Sequence, residues 1–179
     1  IAADLLSQAE HDPRAAVFLI TPDKEFGLAV QQEMEKQMKE LSRYEIMKNS
    51  VDQYAKAFLC KDTEQCFDIV NKIAPEHLEV ELPDPKKYLP LIYNAGAIFL
   101  GKYTSEPLGD YMAGPNHTLP TSGTAAFSSP LGVYDFVKHS SVECYSEEAF
   151  RKISKKVQLF AKAEGLTAHA HAMEVRDED

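Results

Sequence analysis

Four groups of residues in this sequence carry side chains able to do chemistry. Gln8 and His11 stand three apart at the end of an apolar-patterned stretch, hence on one face of a helix, with Glu10 and Asp12 beside them. Imidazole and oxygen donors suit zinc. A polar helix terminus has the same appearance. Glu76-His77 follows Pro75 and precedes a β-patterned run. A carboxylate next to an imidazole is a general acid/base pair, or an ordinary surface pair. Asp110, Tyr111, Asn116 and His117 supply an anion, a phenol, an amide and an imidazole within eight residues of one loop. A purely structural loop seldom needs all of them. Glu164 and His169 lie where the last two helices meet, and His171 turns away from His169 if that segment is helical. Solvent exposure is the plainer reading of that last group.

The elements that must position these groups follow from periodicity. Residues 1–9 read as a helix with Leu5, Leu6 and Ala9 on one side, ended by His11-Asp12-Pro13. Ala15 to Ile20 is a continuous apolar run, the pattern of a strand buried on both faces. Thr21-Pro22 opens a helix to about Ser42, with Phe26, Val30, Met34, Met38 and Leu41 down one side. Tyr44–Lys48, Lys56–Cys60, Leu78–Leu82 and Ala95–Leu100 read as further strands, and Pro85–Asn94 as a short helix. Asp62 and Gln65 form a capping-box pair in front of a helix burying Cys66, Ile69, Val70 and Ile73. This alternation predicts an α/β chain: a three-layer α/β/α Rossmann-like domain with a mostly parallel sheet over residues 1–138. Ligands in such sheets sit at the carboxyl ends of the strands.

Residues 101–135 break the alternation. They are dense in Gly, Pro, Ser and Thr, and a loop this long in a compact domain is usually functional or disordered. Residues 139–179 read as a strand at Ser140–Tyr145 and a helical tail. Ser146 caps the first tail helix, whose Phe150, Ile153, Val157 and Phe160 face a core, and Gly165 stops it.

Composition narrows the function classes. The chain has 179 residues, enough for a core without staples, and its 44% hydrophobic and 26% charged residues are those of a globular domain. Its net charge of −9 argues against a nucleic-acid binder or a membrane-surface protein. No apolar run approaches the roughly 18–20 residues of a membrane span. Cys60, Cys66 and Cys144 form no CxxC pair, which fits a reducing, cytoplasmic setting. The sequence lacks GxGxxG, GxxxxGK[ST] and GxSxG signatures. Residues 1–9 lack an initiator Met and a basic leader and read as a helix already in progress, so a piece of a longer protein is expected.

Taken in order, AADLLSQAEHDP, NKIAPEHLE, NAGAIFLG, EPLGDYMAGPNHTLPTSGTAAFSSPLGVYDF and EGLTAHA resemble histidinol dehydrogenase across essentially the whole chain. The resemblance is to the C-terminal part of that longer enzyme. It implies a zinc- and NAD-dependent oxidation of L-histidinol through the aldehyde to L-histidine. Gln8, His11, Asp110 and His169 are the implied zinc ligands. Glu76 and His77 are the implied catalytic pair. Glu76, Asp110, Tyr111, His117, Glu164 and His169 are the implied substrate contacts. Most NAD contacts are expected outside this chain, and no cofactor-binding residue is assigned within it. The resemblance also implies a homodimer in which the tail crosses over, so that His169 and Glu164 are supplied in trans. Ala126 and His139 depart from the family, which is usually basic at both positions. Two other readings stand beside this one: a non-catalytic zinc-binding or dimerisation module, and a zinc hydrolase acting through Glu76 and water.

Overall fold

A computed structural model describes residues 1–177. The chain divides into two compact units, Ile1–Phe136 and Val137–Asp179. In the first, the order is α1 (Ala2–Ala9), β1 (Phe18–Thr21), α2 (Lys24–Met38), α3 (Tyr44–Tyr54), β2 (Lys56–Leu59), α4 (Thr63–Ile73), β3 (His77–Val80), a 3-10 turn (Pro85–Leu91), β4 (Ala97–Leu100) and a one-turn helix α5 (Glu106–Leu108). A π-turn over Gly109–Ala113 continues α5, and the second unit holds α6 (Glu147–Ala163) and α7 (Thr167–Asp177). Among the described residues no helix is long and apolar enough to cross a membrane.

The α/β class is as the sequence predicts, and all strand pairing is parallel. The described strands, however, form two two-stranded sheets, β1–β2 and β3–β4, not one. β1 and β3 are each paired along one edge only, and both border a cavity of about 780 Å³ with Ile1, Leu5 and Gln8 of the α1 region. This is why the Ala15–Ile20 run is only partly buried where full burial was expected.

Two apolar clusters hold the unit together. Leu6, Ala9, Val17, Val30, Met34, Met38 and Met47 gather α1, α2 and α3 around β1. Phe67 and Val70 of α4 pack on Leu78 and Val80 of β3. Asp62 caps α4 by accepting the Gln65 backbone N–H at 2.8 Å, and the Gln65 side chain accepts from Lys61 N–H at 2.7 Å. That is the expected reciprocal cap, with the return bond landing one residue earlier.

Several expectations need correction. Tyr44–Lys48 is the start of α3, not a strand: Met47 and Ser50 turn inward at helical spacing, and the Ser50 hydroxyl donates to Ala15 C=O at 2.8 Å. The second helix is capped by Asp23, which accepts from Phe26 N–H, and ends at Met38, leaving Leu41 exposed beyond it. Ser140–Tyr145 is exposed and forms no strand. In α6, capped by Ser146 as expected, the inward face is rotated. Ser154, Gln158 and Ala161 are buried, while Phe160 is 73% exposed. The buried polar pair is drawn inward by Asp177, whose carboxylate accepts from Ser154 Oγ at 2.8 Å and Gln158 Nε2 at 2.7 Å. Buried polar groups must be satisfied, and α7 satisfies these.

Candidate metal and acid/base site

The β3–β4 pair is the floor of the site. Their register sets His77 beside Ala97 and Glu79 beside Phe99. Side chains two apart on a strand share a face. His77, Glu79 and Phe99 therefore point to one side, and the His77 ring lies against the Phe99 ring at 6.0 Å between centroids. The strand start is held tightly. Gly96 N–H donates to Pro75 C=O at 2.9 Å and Ala97 N–H to Glu76 C=O at 2.8 Å. A Cβ at Gly96 would stand 2.6 Å from the Glu76 carbonyl oxygen, so only glycine lets the chains meet there. Asn71 of α4 anchors the approach to β4. Its side chain donates to Leu91 C=O and accepts from Tyr93 N–H.

The roof is the segment α5 with its π-turn. Gly109 lies so close to Phe99 that a Cβ there would run into the ring edge. This close approach brings Asp110 down over His77. His77, Glu106 and Asp110 each offer a donor atom, and these atoms lie within 4.8 Å of one another. His77 Nε2 is buried and has no hydrogen-bond partner among the described residues. An unpaired buried nitrogen costs about 1–3 kcal/mol unless a ligand takes it up.

The electrostatics are those of a crowded acid site. Burial, with the Asp110 carboxylate next to it, pushes the Glu106 carboxyl above its ordinary range, while the His77 and His11 imidazoles pull it back. One nitrogen and two carboxylates are zinc donors. Donors about 2.1 Å from a tetrahedral zinc stand about 3.4 Å apart, so this set needs only small side-chain movements to hold one. The donor chemistry fits a divalent metal, and the orphaned nitrogen fits a group that takes up a ligand or a proton.

The cluster and the expected ligand set share Asp110. Gln8 lines the same cavity as His77 and Glu106, and Ser7, its neighbour on α1, is 3.5 Å from Glu106 Oε2. His11 is exposed but near enough to act on Glu106 electrostatically. Glu76 is half-buried and lines that cavity too. Tyr111 is 79% exposed, and His117 is exposed beyond it. Glu164 and His169 are exposed residues of the second unit. Sequence reasoning missed Glu106. Its signal was available: four residues before Asp110 on a short helical segment, it shares a face with that residue.

The family model for histidinol dehydrogenase matches residues 1–177. The chain belongs to the histidinol dehydrogenase family. The histidinol dehydrogenase of Aquifex aeolicus is 52% identical over all 179 residues. That of Listeria monocytogenes serotype 4b is 54% identical over the same length. In both, the chain spans 42% of the relative's length. The crystal structure of histidinol dehydrogenase from Elizabethkingia anophelis superposes with a TM-score of 0.91 at 35% identity, covering 99% of this chain and 41% of that one. A histidinol dehydrogenase frame thus accounts for the whole of the described fold.

Proposed function

We propose that this chain is the metal and acid/base portion of a zinc- and NAD-dependent histidinol dehydrogenase, oxidising L-histidinol to L-histidine through the aldehyde. The observation that carries the reading is the meeting of Asp110, the implied metal ligand, with His77, whose buried Nε2 is left free to take a proton, in a chain of this family. Asp110 is the ligand at the centre of the site, with Gln8 and His11 reaching it from the end of α1. His169 completes the set and Glu164 joins the substrate contacts, both given by the tail of a second copy in a homodimer. Bound zinc would orient the substrate and polarise its donor atoms. Two molecules of NAD, bound in turn, would supply the acceptor for the two hydrides of the two oxidations, and the residues that would hold them are expected mainly beyond this chain.

The chain's own residues divide the proton work. His77 sits against Phe99 with its buried Nε2 unpaired, and it takes the hydroxyl proton as the substrate alcohol is oxidised. The second oxidation requires water to add to the aldehyde, and Glu76, at the head of β3, serves as base for that water. Tyr111 and His117, exposed on the long loop, are the groups free to close on the substrate.

The test is reconstitution. The remaining portion of a close relative is added to this chain with zinc, L-histidinol and NAD, and NADH is read at 340 nm. Turnover that disappears in His77→Ala and Asp110→Ala supports the reading. Zinc and histidinol binding with no NADH under those conditions would favour the non-catalytic module.

A further inference from the structure

We propose that Glu79 is the positioning residue of this site, holding the segment that carries Glu106 and Asp110 in register with the strand that carries His77. The inference rests on the metal reading above and adds a residue that has no part in it.

Glu79 Oε1 accepts the backbone N–H of Glu106 at 2.9 Å, across 27 residues of sequence. That amide opens α5. The first amides of a helix have no partner within the helix and need one from outside. Ser105 occupies the capping position and makes no side-chain bond there. Glu79 does the capping instead, from β3, two residues after His77 on the same face.

The clamp reaches Asp110 because the segment moves as one piece. Leu108 N–H and Gly109 N–H both return to Ser105 C=O, at 3.2 and 3.3 Å. A displaced Glu106 backbone therefore carries Asp110 with it. The other anchor is the contact of Gly109 with Phe99, the register partner of Glu79 on β4. Packing against Phe99 sets the height of the segment above the floor. The Glu79 bond sets its position along the floor, which packing against a ring edge does not. Glu79 is half-buried, with its other neighbours set by the strand, so it acts from a fixed place.

The experiment uses the 179-residue chain and zinc alone. Zinc affinity is measured by calorimetry for wild type, Glu79→Ala, Glu79→Gln, Glu79→Asp and the control Glu81→Ala. Amide exchange at Glu106 and Asp110 is followed by NMR in the metal-free proteins. Loss of a residue that orients a metal ligand costs about 10–100-fold in affinity. Glu79→Gln keeps the reach and the acceptor and stays near wild type. Glu79→Asp keeps the charge, loses the reach and falls with Glu79→Ala, which keeps the comparison readable if the alanine variant does not fold. Glu106 exchange accelerates in the Asp and Ala variants.

Wild-type zinc affinity in Glu79→Asp, with accelerated exchange, would reduce Glu79 to a cap with no positioning role. A weak Gln variant beside a normal Asp variant would make the charge, not the bond, responsible. Unchanged exchange would remove the clamp altogether. If wild type takes up no zinc and Asp110→Ala is indistinguishable from it, the metal reading fails. The exchange of Glu106 and Asp110 amides then decides the clamp by itself.

Discussion

At the scale of single residues, the site is made by close approaches that admit no extra atom. Gly109 is the sharpest case, with the Phe99 ring where its Cβ would be. Gly109→Ala must push either the ring or the segment. Overpacking of this kind costs about 1–3 kcal/mol. The expected result is a lower thermal midpoint together with weaker zinc uptake, read by calorimetry. Glu106 gives a pH prediction. Its folded pKa is raised, by burial first and the Asp110 charge second. The stability tied to its proton is therefore present below the ordinary carboxylate range and lost as pH rises through the folded value. Glu106→Gln in the metal-free chain should raise the melting temperature at pH 7 and change it little at pH 4. An equal gain at both would disconnect the carboxyl from the effect. The thiols separate in the same way. Burial, then the neighbouring Cys60, push the Cys66 thiol up to about 12, whereas Cys144 is exposed. Alkylation at neutral pH should mark Cys144 rapidly and leave Cys66 as thiol.

At the scale of elements, the two short sheets carry the next prediction. Val17 and Thr21 carbonyls accept from Lys56 and Cys60 of the β2 side, and Glu76 and Val80 carbonyls from Ala97 and Gly101 of the β4 side. Successive residues of a strand in a parallel ladder turn their backbone groups to opposite neighbours. Ile20 and Glu79 amides thus face the cavity, while those of Leu19 and Leu78 face paired strands. Hydrogen exchange should be fast at the first pair and slow at the second; equal protection would mean the open edges are covered. The elements also show what periodicity can and cannot read. The Asp62 cap was legible because it is a local bond between residues three apart. The helix at Tyr44–Tyr54 was not. Its buried Met47 and Ser50 are few, and the deciding bond, Ser50 to Ala15, spans 35 residues.

At the scale of the whole molecule, the chain spans 42% of the length of the relatives it matches. In the second unit Phe150, Ile153, Val157 and Phe160 run down α6, yet Phe160 is 73% exposed because Ser154 and Gln158 take the inward face. Phe150 and Ile153 are half-buried, but Val157, Leu159 and Phe160 stand exposed together, and exposed apolar groups of this kind mark an interaction surface. If tails exchange between copies, sedimentation should give a dimer of about 40 kDa, twice the 20.0 kDa chain. Phe160→Asp should return the 20.0 kDa monomer with its helix content unchanged. A monomer in wild type would rule out tail exchange in the isolated chain.

The alternation of helices and parallel strands outside α3 and Ser140–Tyr145, the caps at Asp62 and Ser146, and the identities of His77 and Asp110 as reactive groups were present in the sequence. They depend on periodicity, on bonds between residues three or four apart, and on side-chain chemistry. Which of those reactive groups meet was decided by tertiary structure. The β3–β4 register puts His77, Glu79 and Phe99 on one face, and the close contact of Gly109 with Phe99 lowers Glu106 and Asp110 onto them. Glu106 lies 29 positions from His77 and Phe99 lies 22 from it. No local pattern encodes such a meeting, because it is the pairing of two strands and the packing of one ring that bring the donors within reach.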